Sequence, residues 1–168
     1  SMNFAALHNV PVLFVCENNG YSCYSSLSLR QPERPISDLA APHKIKSISL
    51  DGSDLFGMVS KLADVFELLR SSPQPLFIES KSERHLEHCG PNNDDHLAYR
   101  SSDEIEVRNL KDPLNIARRN LIEAIPSFQS IEQEMKLKID SEIDEAFQLA
   151  LKAPYPNIDE LGRITFAD

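Results

Sequence analysis

Residues 10–16, Val-Pro-Val-Leu-Phe-Val-Cys, are continuously apolar and rich in β-branched and aromatic side chains, the pattern of a strand covered on both faces of a parallel sheet. The run predicts a central strand. Before it, residues 3–9 read as the last turns of a helix. Residues 22–43 are rich in serine and proline with little periodicity, which predicts an extended loop with one helical turn at 37–41. Residues 44–50 alternate apolar and polar, as a half-buried strand near a sheet edge does, and Asp51-Gly52 ends them. Leu55, Met58, Val59, Leu62, Val65, Phe66 and Leu69 then recur at three- and four-residue spacing behind Asp and Ser caps. This predicts an amphipathic helix that runs to Ser71-Ser72-Pro73. Leu76 to Glu79 form a short buried strand, so strand, helix and strand make a right-handed βαβ unit. Residues 81–112 show no apolar period and predict a long loop of the functional type. Two helices follow, over 113–125 and 130–151. The second carries Ile131, Met135, Ile139, Ile143, Phe147 and Ala150 on one stripe, suited to packing on the sheet or on a partner, and Pro154 and Pro156 stop it. The fold class is α/β, a parallel sheet with flanking helices. Residues 2–112 form its α/β part, containing the 81–112 loop, and 113–168 its C-terminal helices and tail.

Composition narrows the function. The 168 residues amount to one domain, 41% of them hydrophobic and 26% charged, which excludes a disordered or fibrous chain. A formal charge of -9 repels a phosphate backbone, so nucleic acid is not an expected partner. The longest apolar run is far short of the roughly 18 residues a membrane helix needs, so no membrane partner is expected. Cys16, Cys23 and Cys89 form no CxxC pair or disulfide framework, which fits a reducing, cytoplasmic location. Ser1-Met2 reads as a protease remnant followed by a start methionine, with nothing like a signal peptide after it.

Two segments carry candidate chemistry. Asn18-Asn19-Gly20 reads either as a tight turn or as a ligand position at the carboxyl end of a strand, where open α/β sheets collect ligands. An Asn carbonyl is a hard, neutral donor suited to Mg²⁺. His85-Leu86-Glu87-His88 fails the spacing of a zinc helix, and Cys89-Gly90-Pro91 breaks any helix at once. Arg84, His88, Asp94, Asp95, Tyr99 and Arg100 together form a set able to bind an anion and stabilise developing charge.

As a set, these residues resemble a known family. Asn3 to Leu7, Pro11 to Tyr21, Leu50 to Asp54, Pro75 to Glu79, Arg84 to His88, Tyr99 to Glu104, Asp112-Pro113 and Asp159 to Gly162 occur in the order seen in the alpha subunit of thiamine-diphosphate-dependent 2-oxoacid dehydrogenases. The resemblance covers nearly the whole chain and corresponds to the C-terminal half of that subunit. The family's cofactor motif opens with Gly-Asp-Gly and closes with the Asn pair, and the opening triplet is expected upstream of Asn3. By the same resemblance Asn19 is a side-chain Mg²⁺ ligand, and Tyr21 binds the metal through its main-chain carbonyl. Arg84 and His88 face the diphosphate and the reacting carbonyl as catalytic and cofactor-binding residues. Tyr99 and Arg100 match the loop's closing pair, and Asp94 or Asp95 matches its Asp. Cys89 stands where mitochondrial members carry a phosphorylated serine, so kinase control there is not expected. The implied cofactors are thiamine diphosphate and Mg²⁺, with tight binding not expected for this chain by itself. The implied partners are a beta subunit and a lipoyl-bearing acyltransferase, and self-association is expected. The alternatives are a non-catalytic interaction module of the same fold and a metal hydrolase built on the histidine loop.

Overall fold

The computed structural model describes residues 1–158; the Asp159-Glu160-Leu161-Gly162 segment lies outside them. Two compact units divide the chain, Ser1–Asn120 and a second beginning at Leu121.

In the first unit, α1 (Met2–Leu7) leads to β1 (Leu13–Asn18), and a minute hairpin of β2 (Tyr21–Ser22) and β3 (Ser25–Ser26) follows at once. A 3₁₀ helix at Ile36–His43 contains the turn expected at 37–41. β4 (Lys46–Asp51), α2 (Leu55–Ser71) and β5 (Leu76–Lys81) then form the expected βαβ unit, with β4 and β5 adjacent and parallel. Asp54 caps α2 by accepting from the Gly57 N–H at 3.0 Å, the bond a helix N-terminus needs for one of its orphan donors. After β5 come α3 (Ser102–Leu110) and α4 (Pro113–Ala124), whose first turn is held by Asp112 Oδ1 accepting from the Leu114 N–H at 2.9 Å.

Among the described residues the parallel sheet runs in the order β1-β5-β4, so the central strand is β5 and not the apolar run at β1. β5 is buried from Leu76 to Ser80, whereas Val15 on β1 is 58% exposed. Leu76 and Ile78 face one way, packing with Leu50 and Val65 and with Met58, Leu62, Leu68 and Leu69 of α2. Phe77 faces the other way, onto Ala40 and Ile45 with Phe14, Cys16 and Ile36. At the carboxyl end of the sheet Gly52 lies against β5: its N–H donates to Lys81 O at 2.7 Å, and a Cβ there would stand 2.5 Å from that oxygen. Only glycine admits the approach.

Residues 81–112 are not a continuous loop, because α3 occupies their last third. A capping box starts it, with Ser101 Oγ accepting from the Glu104 N–H and Glu104 Oε2 accepting from the Ser101 N–H. The second unit contains the long helix α5 (Phe128–Lys152), which reaches three residues before Ile131 and ends ahead of Pro154.

Candidate functional site

A cleft of about 530 Å³ opens at the carboxyl ends of β1 and β5, lined among others by Asn19, Tyr21, Lys81, Arg84, Arg100 and Arg108. The turn after β1 builds one wall. Asn18 Nδ2 donates to Glu79 Oε1 at 2.8 Å, and Asn18 Oδ1 accepts from the Gly20 N–H at 3.0 Å. Gly20 has φ +77, a left-handed conformation that glycine adopts without penalty. Asn19 Oδ1 accepts from the Tyr21 N–H at 2.9 Å, which leaves one lone pair of that carbonyl for another partner. The Asn pair is therefore a turn and a wall of the cleft together.

Arg84, Arg100 and Arg108, which also line the cleft, belong to a charged cluster. Arg84 Nη2 donates to Cys23 O at 2.7 Å and to Tyr99 Oη at 2.9 Å, and stands 3.8 Å from Asp94 Oδ2. Tyr99 Oη donates to Asp94 Oδ2 at 2.6 Å, and Arg100 Nη1 donates to Asp94 Oδ1 at 3.1 Å. Asp95 takes a two-pronged bond from Arg108 on α3, at 2.7 and 2.9 Å. The Arg100 guanidinium lies 4.6 Å from the Tyr99 ring centroid and 5.6 Å from that of Tyr21, within cation–π reach. Tyr21 Oη donates to Glu104 Oε1 at 2.7 Å, tying the turn after β1 to the cap of α3.

Electrostatics follow from these bonds. The Tyr99 hydroxyl, with Arg100 and Arg84 behind it, holds the Asp94 carboxyl below the usual range. Arg108 and Asn93 hold Asp95 well below it. The Ser101 N–H and Tyr21 hydroxyl lower Glu104. Burial alone raises Glu79, but the bonds from Ser37 and Asn18 outweigh it and leave the group lowered. Burial, then Glu104, pushes the Tyr21 phenol up to about 12. The lowered carboxylates favour the folded state only while ionised, so their contribution is complete above about pH 4 and is lost as pH falls through their folded values. The raised Tyr21 favours the folded state while neutral, a contribution complete below about pH 10 and lost as pH rises through 12. Urea denaturation across pH should therefore show a plateau between these limits with a fall on both sides. A maximum in acid would contradict it.

Among the described residues, no group of three or more His, Cys, Asp or Glu side chains could hold a metal ion, and no helix is long and apolar enough to cross a membrane. Basic and acidic side chains alternate around the cleft, so its capacity for an anion rests on particular donors and not on surplus charge. Arg84 Nε and Nη1 and Arg100 Nη2 are buried without a hydrogen-bond partner. Buried guanidinium nitrogens are rarely left unmatched, and a planar fork with open N–H groups suits phosphate oxygens.

The structure thus brings together Arg84, Asp94, Asp95, Tyr99 and Arg100, places the Tyr21 ring against Tyr99 and Arg100, and lines the cleft with Asn19, Tyr21, Arg84 and Arg100. His88 is exposed and does not line the cleft. The loop between them is closed by its own bonds, Glu87 Oε1 accepting from Asn92 Nδ2 at 2.7 Å and Asp95 Oδ2 from Asn93 Nδ2 at 2.8 Å. Glu79, Glu104 and Arg108 were missed. A charged residue inside an apolar strand and the Ser-x-x-Glu spacing at 101–104 were the available signals.

The family model described as "Dehydrogenase E1 component" matches residues 1–159. The chain is 28% identical over 161 residues to a pyruvate dehydrogenase E1 component subunit alpha of Rickettsia bellii, covering 96% of this chain and 48% of that one. It is 32% identical over 153 residues to a 2-oxoisovalerate dehydrogenase subunit alpha of Bacillus subtilis, covering 91% and 46%. Against the mitochondrial 2-oxoisovalerate dehydrogenase subunit alpha of Homo sapiens it is 30% identical over 156 residues, covering 92% and 35%. The chain spans less than half the length of each of these relatives.

Proposed function

Because the chain belongs to the dehydrogenase E1 component family, we propose that it forms part of the alpha subunit of a 2-oxoacid dehydrogenase and supplies one side of a thiamine-diphosphate site. The observation that carries this reading is the pair of arginines, Arg84 and Arg100, lining a cleft at strand ends with buried N–H groups unmatched. That chemistry fits a diphosphate. The turn after β1 fits Mg²⁺ in part: Asn19 Oδ1 and the Tyr21 carbonyl are hard oxygen donors, but two are fewer than the roughly six that octahedral Mg²⁺ takes. Bound thiamine diphosphate supplies the electron sink for decarboxylation. The residues of this chain then have distinct work. Arg84 and Arg100 hold the diphosphate, Asp94 and Tyr99 fix the two guanidinium planes, and exposed His88 meets the reacting carbonyl when the loop closes on substrate. The position of β1 at the edge of the sheet fits a sheet that continues in the whole subunit.

The whole enzyme in this reading works with a beta subunit and passes the acyl group to a lipoyl-bearing acyltransferase. Three free cysteines fit a cytoplasmic setting. In the whole subunit assembled with its beta partner, Arg84→Ala should lower 2-oxoacid decarboxylation at least about tenfold. Undiminished turnover would move the cofactor elsewhere. A second reading, a non-catalytic interaction module, is favoured by the exposed stripe of α5; an assembled whole subunit that binds its partner without turning over 2-oxoacid would favour it.

A further inference from the structure

Tyr21 is held at both its backbone and its hydroxyl end. Its N–H donates to Asn19 Oδ1 at 2.9 Å and so orients the side chain whose second lone pair is open to another partner. Its ring meets the Tyr99 ring edge to face, centroids 5.4 Å apart, and its centroid lies 5.6 Å from the Arg100 guanidinium. Its hydroxyl donates to Glu104 Oε1 at 2.7 Å. That hydroxyl stays a donor at any ordinary pH, since burial and Glu104 push it up to about 12.

Glu104 can anchor the ring because it is itself fixed. Its other oxygen accepts from the Ser101 N–H at 2.7 Å, while Ser101 Oγ accepts from the Glu104 N–H at 3.2 Å. One carboxylate thus ties the first turn of α3 to the turn after β1. Tyr21 in consequence belongs to both sets of donors in the cleft. Its backbone supplies or orients the two neutral oxygens, and its side chain touches Arg100, whose Nη2 is buried and unmatched. Mg²⁺ tolerates little departure from octahedral geometry, whereas hydrogen bonds to an oxyanion accept a broader range of angles. Freedom in the Tyr21 ring would therefore disturb the metal before the anion.

We propose that Tyr21 and Glu104 are positioning residues, a role that rests on the thiamine-diphosphate reading of the cleft: the Tyr21 hydroxyl bound to Glu104 holds the Asn19 and Tyr21 oxygens at the spacing from Arg100 that a metal-bound diphosphate needs. Glu104 touches neither metal nor diphosphate in this role and acts through the Tyr21 ring.

Titrations of the ¹⁵N-labelled 168-residue chain with thiamine diphosphate, once in EDTA and once in excess Mg²⁺, test this. The ratio of the two dissociation constants measures what the metal adds. The wild type should bind more tightly with Mg²⁺. Tyr21→Phe and Glu104→Ala should each cut that gain at least about threefold while changing the EDTA constant by less than about twofold, and the double variant should lose no more than either single one. Ser101→Ala breaks the same capping box but spares the Tyr21 bond, so it should keep the gain, with helicity of all variants checked by circular dichroism. A gain unchanged in Tyr21→Phe, or lost equally in Ser101→Ala, would overturn the positioning role and leave the cofactor reading intact. So would a wild type that gains nothing from Mg²⁺. A wild type with no shift at Arg84 or Arg100 under either condition would overturn both.

Discussion

Asp94→Ala should speed amide exchange across α3 about a hundredfold, a loss near 3 kcal/mol for the 84–110 segment. The Asp94 side chain is 1% exposed and that of Arg100 5%. Removing the carboxylate strips Arg100 of its nearer counter-charge and Tyr99 of its acceptor, while the longer 3.5 Å approach to Asp95 remains. A buried charge left without its partner costs several times what an exposed ion pair contributes. Asp94→Asn keeps the shape without the charge and should fall between the two. Unchanged exchange in α3 would mean that the turns at Glu87 to Asn92 and Asn93 to Asp95 hold the loop by themselves.

Glu79→Ala should lower global stability by about 3 kcal/mol, read as a urea midpoint reduced by more than about 1 M. Glu79 is 1% exposed on the central strand, and its two oxygens accept from Asn18 Nδ2 and from the Ser37 N–H, both at 2.8 Å. One side chain therefore fastens the end of β1 and the 3₁₀ helix to β5. Alanine leaves a cavity and two donors unmet. Glu79→Gln retains the volume but turns one oxygen into a donor facing a donor, and should cost about half as much. A midpoint unchanged in Glu79→Ala would show that these contacts reorganise freely in water.

The βαβ unit was legible because period two in β4 and period 3.6 in α2 are produced by burial on one face, and the short apolar run of β5 by burial on both. The position of β1 was not. Leu13 packs toward α2 and Phe14 toward the 3₁₀ helix, so both faces are apolar whether or not another strand lies beyond. Nothing in such a run separates an edge from a centre. α3 was hidden because Ile105, Val107 and Leu110 are too few, and too unevenly spaced, to make a period in nine residues. The cluster of Arg84, Asp94, Asp95, Tyr99 and Arg100 was legible as a local concentration of charge. Its dependence on Arg108 and Glu104 was not, since pairing across a loop and a helix leaves no spacing in the sequence. Glu79 reached its role through Asn18 and Ser37, both far from it along the chain, a relation only folding creates.

As one proposed side of a thiamine-diphosphate site, with only two oxygen donors for the metal, the cleft between Asn19 and Arg84 should bind the cofactor weakly. An NMR titration of ¹⁵N-labelled chain with thiamine diphosphate and Mg²⁺ tests it most directly. Two neutral oxygen donors and a few guanidinium N–H groups leave the metal largely hydrated, and each tenfold of affinity corresponds to only about 1.4 kcal/mol. Shifts should be confined to Asn19, Gly20, Tyr21, Arg84 and Arg100 and saturate in the millimolar range. Silence at those positions in tens of millimolar ligand would contradict the assignment of the cleft. A micromolar dissociation constant abolished by Asn19→Ala would contradict the incompleteness of the site.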